Sequence, residues 1–291
     1  HEGATPFMLA GYFVIQVMYN GLPRWAWYLV NARSPRPYPR FDSASKTALY
    51  MALQKKSARS MILFGMALSF KLQTVFFLPA LLPLWLRKDI KLRHLALIPA
   101  AYMAMMIPAF WGGKSLHHAL TVYTAQASTY NFMTVNGPSL YNFLPASMDK
   151  GMLYTMFSGM AMALGMAMLA IGCLMVCLHR EHITREGTLL TCLLVLGGVP
   201  FFLPKMHERY TFGADVLALA IAAYNPKRVW LPLLFGLSSY ICYTAGLPGD
   251  AIFDLKWATV FQGAAVALTA AALYRSLNEE KAEAALAEVK A

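Results

Sequence analysis

Charge is what this sequence has least of. Of its 291 residues only 13% are charged, 14 of them acidic and 25 basic, where a soluble globular domain carries about a quarter. With 58% hydrophobic residues and a mean hydropathy of +0.47, an ordinary soluble domain is excluded. A disordered tail is excluded as well, because 17 Phe, 15 Tyr, 6 Trp and 18 Met supply the apolar surface that such tails lack. Cysteine is scarce: Cys173, Cys177, Cys192 and Cys242 all fall in apolar segments, where thiols pack as small hydrophobes, so no disulfide framework is expected. A phosphate-binding glycine loop, a nucleophile elbow and a paired-cysteine metal motif are missing, and His179-Arg180-Glu181-His182 does not have zincin spacing. Met152, Met156 and Met160 recur at helical spacing, which flexible packing explains better than copper. Before the first apolar run there is no basic lead with a small-residue cleavage site. The chain begins at His1 and reads as processed or truncated.

What is present is a set of apolar runs separated by short basic turns. The net charge of +11 does not form the single stripe of a nucleic-acid-binding surface, so no nucleic-acid partner is expected. It marks orientation in a membrane and contact with anionic lipid. Candidate spans are 5–20, 43–54, 60–70, 74–86, 95–111, 152–177, 188–204, 212–225, 229–246 and 257–274. The fold class is therefore all-α, a polytopic transmembrane helical bundle of about ten segments, some short or broken where Pro79 and Pro83 interrupt them. Residues 1–41 would form an N-terminal span and an interfacial basic arm, 42–275 the transmembrane core, and 276–291 a charged cytoplasmic tail. Alternating the loops puts Lys55, Lys56, Arg59, Arg87, Lys88, Lys91, Arg93, Arg180, Arg185, Lys227, Arg228 and Arg275 on the inner side. Arg24, Arg33, Arg36 and Arg40 alone disobey, as an interfacial arm would. The unusual polar residues gather on the outer side, which is where a site is expected.

Three segments carry candidate chemistry. The first is Pro204-Lys205-Met206-His207-Glu208-Arg209-Tyr210. Ionisable groups beside a hydrophobic span are costly unless they pair or face water; Lys205, His207 and Arg209 together offer a pocket for a phosphate or pyrophosphate. A solvated turn between helices is the alternative. The second is Phe70-Lys71-Leu72-Gln73, where Lys71 either snorkels to the interface or completes an anion clamp, and Gln73 adds a donor and an acceptor. The third is the long loop 112–151, with Tyr123, Gln126, Tyr130, Asn131, Thr134, Asn136-Gly137-Pro138-Ser139 and Tyr141-Asn142-Phe143. Its aromatics and amides suit sugar faces and hydroxyls, or equally an interfacial aromatic belt.

Taken in order, Phe70-Lys71-Leu72-Gln73 with Pro79, the loop Thr134-Val135-Asn136-Gly137-Pro138-Ser139-Leu140-Tyr141, and Pro204 to Tyr210 resemble bacterial relatives of the GPI mannosyltransferases, polytopic glycosyltransferases of the GT-C superfamily. The likeness covers roughly residues 42–275. It implies transfer of a hexose, mannose-like, from a polyprenyl-phosphate donor to an acceptor at the extracytoplasmic face of a bacterial inner membrane, with no nucleotide cofactor. His207 and Arg209 would then lie near the donor phosphate, helped by Lys71 and Lys205. Gln73, Gln126, Asn136, Tyr141, Glu208 and Tyr210 would contact sugar or acceptor. The family's general base sits in a first outer loop that this sequence does not display; Asp42, in Phe41-Asp42-Ser43 without the Trp-Gly-Gln lead-in of the relatives, is the substitute. A second subunit could supply the missing elements. The competing class is non-enzymatic, a lipid or solute transporter or an anionic-lipid-binding scaffold, although transporters carry internal symmetry between halves and none is visible here.

Overall fold

The computed structural model describes residues 44–290 except 71, 118–119, 122–123, 125–130, 146 and 247–252. Span 5–20, the basic arm, Asp42, Lys71 and Gln126 lie outside the described residues. The described chain is mostly helical: α1 (Ala44–Leu53), α2 (Ser57–Phe70), a 3-10 segment (Leu72–Ala80) running into α3 (Leu81–Leu86), α4 (Leu97–Met105), α5 (Ile107–Trp111), α6 (Lys150–Leu178), α7 (Arg185–Phe202), α8 (Phe212–Tyr224), α9 (Trp230–Gly246) and α10 (Leu255–Lys290). Two short strands, β1 (Thr134–Val135) and β2 (Met206–His207), complete it.

Five of these helical stretches are long and apolar enough to cross a bilayer: Leu92–Trp111, Lys150–Leu178, Arg185–Phe202, Pro226–Gly246 and Leu255–Asn278. Other runs read as spans are helices too short to cross alone. At 1.5 Å per residue, the 14 residues of α2 and the 13 of α8 cover about 20 Å of a core roughly 30 Å thick. The run 74–86 switches from 3-10 to α geometry where Pro79 and Pro83 withhold backbone donors. Helix α10 runs without a break from the apolar run through residue 275 into the charged tail.

Helix α7 is the axis of the bundle. Its apolar window is 78% buried, against 22% for α6 and none for Leu92–Trp111. Its start is specified locally: the Thr184 hydroxyl accepts from Gly187 N at 2.8 Å and Glu186 stands in the first turn, favourable at the positive end of the helix dipole. Leu190, Leu193, Leu194 and Leu196 pack with Phe64, Phe77, Leu84, Ala218 and Phe235 into the main core. A polar cross-link sits inside it. Gln262 of α10, fully buried, donates to Gly197 O at 3.0 Å, beside the Leu196 carbonyl whose helical donor is removed by Pro200. The outer helix α6 presents Met152, Met156, Met160 and Met166 to the surroundings, each at least half exposed, as a lipid-facing wall would.

The basic turns are knitted together at one end. Lys91 N donates to Ser57 Oγ (2.9 Å), Arg87 donates to Ile183 O (3.2 Å) and pairs with Asp89 (2.8 Å), and Arg228 pairs with Glu186 (2.9 Å). Asn225 donates to both oxygens of the same Glu186 carboxylate at 3.1 Å. The turns between α1 and α2, after α3, before α7 and before α9 thus share one end, and the opposite end is left to the loops that carry the candidate site.

The approach of α2 to α4 depends on Gly65, where an added Cβ would strike the Ile98 carbonyl and stand 2.7 Å from Ala101 Cβ. Gly65→Ala should therefore cost about 1–3 kcal/mol and lower the thermal midpoint of the detergent-solubilised protein. Gly159→Ala, which meets open space, should leave the midpoint unchanged. Equal midpoints for the two variants would contradict the packing.

Candidate functional site

The loop before α6 and the segment after α7 are joined by backbone. Helix α7 ends at Phe202 with an extended residue, Leu203, and Lys205 takes a left-handed φ of 64° that turns the chain outward. The next two residues, Met206 and His207, pair in parallel with Thr134 and Val135, and Lys205 N donates to Met133 O at 3.2 Å. An additional bridge joins Asn136 to His207. Asn136 also has a left-handed φ, 57°, which Asn tolerates because its short polar side chain bonds locally. Gly137 is required by space: a Cβ there would lie 2.6 Å from Met206 O. The Asn-Gly-Pro sequence is thus explained by the partner strand as well as by the turn.

The loop is then tied to two helices. Thr259 of α10 donates its hydroxyl to Ser139 O at 2.9 Å, and Asn142 Nδ2 donates to Gly137 O (2.9 Å) and to Thr259 Oγ1 (3.0 Å). Tyr141 is buried and donates its hydroxyl to Phe202 O, the last residue of α7, at 2.6 Å. Burial lifts its phenol to about 12, so the hydroxyl remains a donor across the physiological range. Tyr141 therefore braces the loop against the end of α7.

Around this frame stand the candidate cations. Lys205, half-buried, places its ammonium 4.7 Å over the ring of Tyr154 on α6. His207 is half-buried, with its ring 5.4 Å from that of Tyr210 and its Nδ1 3.9 Å from Glu208 Oε2. Arg209 is exposed beside them. Tyr210 in turn lies 6.4 Å from Phe76 of the Leu72–Ala80 segment, which brings the neighbourhood of Gln73 to the same end of the bundle. Glu208 packs against the end of α9, so that a Cβ on Gly246 would lie 3.2 Å from Glu208 Cγ. Asn136, Lys205, His207, Glu208, Arg209 and Tyr210 are thereby brought together. A separate polar chain was not apparent from sequence: Thr211 lies 3.0 Å from Ser239, which donates to Asp215 Oδ1 at 2.9 Å. A carboxylate inside the apolar run 212–225 was the available signal, because such groups survive in membranes only with partners.

Electrostatically, burial pushes the His207 imidazole below its ordinary 6.5; the Arg209 guanidinium pushes the same way, and Glu208 opposes them. His207 is consequently neutral at pH 7, able to accept a proton, while Arg209 and Lys205 carry the positive charge. An anion arriving between them would favour the imidazolium and raise that value. Among the described residues no cluster of His, Cys, Asp or Glu is arranged to hold a metal ion.

Compared with known protein families, with curated proteins and with solved structures, the chain matches none. The reading of the site therefore rests on its own residues. In a proton-detected titration of the labelled imidazole, His207 should show a midpoint below 6.5 in the free protein and a higher one with a phosphate monoester present. Because the folded-state value is depressed, its contribution to stability is complete above 6.5 and is lost as the pH falls through the folded midpoint. A midpoint above 6.5 in the free protein would contradict the burial.

Proposed function

We propose that this chain is a membrane glycosyltransferase that moves a hexose from a polyprenyl-phosphate donor to an acceptor at the extracytoplasmic face of a bacterial inner membrane. The observation that carries the reading is the pairing of Thr134–Asn136 with Met206–His207, which joins the amide- and aromatic-rich loop to the cationic segment. Sugar-recognising groups and phosphate-recognising groups thus adjoin at one end of an apolar bundle, as a lipid-linked sugar requires. The face is inferred from the opposite end, where the basic turns meet; under the positive-inside rule that end is cytoplasmic. The shorter helices would complete a total of about ten membrane segments by pairing end to end or lying partly in the interface.

The chemistry follows from where charge develops. As the bond from the anomeric carbon to the phosphate oxygen breaks, the lipid phosphate gains negative charge. Arg209 and Lys205 stabilise that charge electrostatically, Arg with forked N–H donors and Lys as a point charge. His207, neutral at pH 7, donates its ring N–H in a hydrogen bond to the departing oxygen as the charge grows. The acceptor hydroxyl loses its proton to a carboxylate acting as general base. Asp42 stands where the relatives have a Gln-x-Asp-Ser segment rather than where their usual base sits; it is the candidate carboxylate of this chain, and an accessory subunit would serve where the chain does not provide the base. Asn136, held by its bridge to His207, offers an amide to sugar hydroxyls beside the phosphate.

The test is transfer of a labelled hexose from a polyprenyl-phosphate sugar in proteoliposomes. His207→Ala and Arg209→Ala should each lower the rate about a hundredfold, the typical cost of removing one donor to a developing anion, while donor binding falls less. Uptake of the labelled compound without transfer would favour a transporter, and binding with neither would favour a scaffold.

A further inference from the structure

At the opposite end of the bundle a cleft of about 500 Å³ opens between the ends of α3 and α6, lined by Leu86, Arg87, Lys88, Arg180, Glu181 and Ile183. Its size falls within the range of small-ligand sites. Three of the six lining residues are cationic and one is acidic. Arg87 is fixed before any ligand arrives: its Nε pairs with Asp89 Oδ2 at 2.8 Å and it donates to Ile183 O at 3.2 Å. The Asp89 side chain is only 3% exposed, so the pair is a buried anchor. Of the five N–H donors of a guanidinium, these two bonds use two. Lys88 follows α3 with a left-handed φ of 62°, the stop of a helix C-cap in which its N–H donates to Trp85 O and Asp89 N–H to Leu84 O, both at 2.9 Å, and its side chain is exposed at the rim. Arg180 is exposed and lies 3.6 Å from Glu181, a pair that a stronger anion can open because exposed ion pairs are worth little.

What surrounds the cleft narrows the ligand. Helices α3 and α6 pack against one another, and next to the lining residues in the chain they expose Trp85 (45%), which precedes Leu86, and Leu178 (71%), two residues before Arg180. An indole beside a cationic rim and an apolar wall is the arrangement of the bilayer interface. We propose that this cleft binds a phosphate-bearing anion, the phosphodiester of an anionic phospholipid whose acyl chains lie along Trp85 and Leu178. It is separate from the site at the other end of the bundle, and it does not depend on what that site does. Arg87 provides a preset fork for two phosphate oxygens, and Lys88 and Arg180 close over them as mobile charges. Basic pockets between transmembrane helices on the cytoplasmic side are the expected place for such headgroups.

The experiment uses the full chain in detergent micelles with phosphatidylglycerol or phosphatidylcholine added, bound lipid being counted by native mass spectrometry. The cleft variant is Lys88→Gln with Arg180→Gln, which spares the buried Arg87–Asp89 pair. The control is Lys55→Gln with Lys56→Gln, which removes the same charge from exposed positions outside the cleft. One saturable phosphatidylglycerol should bind, and the cleft variant should weaken it about 25-fold, at about fivefold per basic group, with the control close to unchanged. Displacement of the lipid by millimolar inorganic phosphate would identify the phosphate group alone as the ligand. Persistence of the lipid against phosphate would identify the intact phospholipid. Equal loss in the cleft and control variants, or phosphatidylcholine bound as tightly as phosphatidylglycerol, would overturn the proposal. A melting curve for each variant separates loss of the site from loss of the fold.

Discussion

Four residues of extended backbone govern the arrangement of this helical protein. In hydrocarbon a helix satisfies its own polar groups, so helices can in principle be stacked in many ways; irregular loops must find partners elsewhere. Here the loop before α6 finds them in the two residues after α7, through the parallel pairing of Thr134 and Val135 with Met206 and His207. Everything polar at that end is positioned from this seam. Gly137 fits under Met206, Tyr141 reaches Phe202, and Asn142 with Thr259 fastens the loop to α10. The cationic residues are consequently carried on a short, braced segment rather than on a freely moving turn.

The two ends of the bundle are built on different principles. At the basic end, ion pairs and caps join one turn to the next: Ser57 to Lys91, Arg87 to Asp89 and Ile183, Glu186 to Asn225 and Arg228. Each basic turn there is close to a carboxylate or a carbonyl, so the positive charge is held in order. At the other end the cations Lys205 and Arg209 surround a half-buried imidazole with Glu208 as the adjoining carboxylate. That end keeps excess positive charge in a partly dry setting, which is a poor way to stabilise a fold and a useful way to receive an anion. Between the ends, α7 is packed on most sides, and the buried polar contacts of the interior include the Gln262 cross-link and the Thr211–Ser239–Asp215 chain.

Much of the architecture was legible because a bilayer imposes simple rules. Low charge and long apolar runs indicated membrane helices, and the sign of the turns grouped the loops that the structure gathers at one end. Span number was harder to read. Hydropathy registers that 43–54, 60–70 and 212–225 are apolar, but not that these helices run for only 10 to 14 residues. The density of Lys, His and Arg around 205–209 was visible as a cluster, since those groups need partners near hydrocarbon, and the structure sets it beside the loop at 134–136. The β1–β2 seam was not legible, because strands of two residues carry no alternation to detect. Thr259 and Tyr154 escaped for a related reason: each looks like an ordinary helix residue, and only the tertiary fold turns them toward Ser139 and Lys205. Tyr141, which the resemblance places at sugar or acceptor, has its hydroxyl engaged by Phe202 O at the end of α7, a tertiary contact that the loop sequence does not reveal.

The central claim is that the loop at 134–136 and the segment at 206–207 form one structure, and cysteine cross-linking tests it most directly. Paired strands stand about 4.8 Å apart, within the Cα separation that a disulfide bridges. In a background without the four native cysteines, Thr134→Cys with Met206→Cys should oxidise rapidly and nearly completely in membranes under mild oxidant, while Thr134→Cys with Arg228→Cys should not. Failure of the first pair, or cross-linking of the second in its place, would contradict the account.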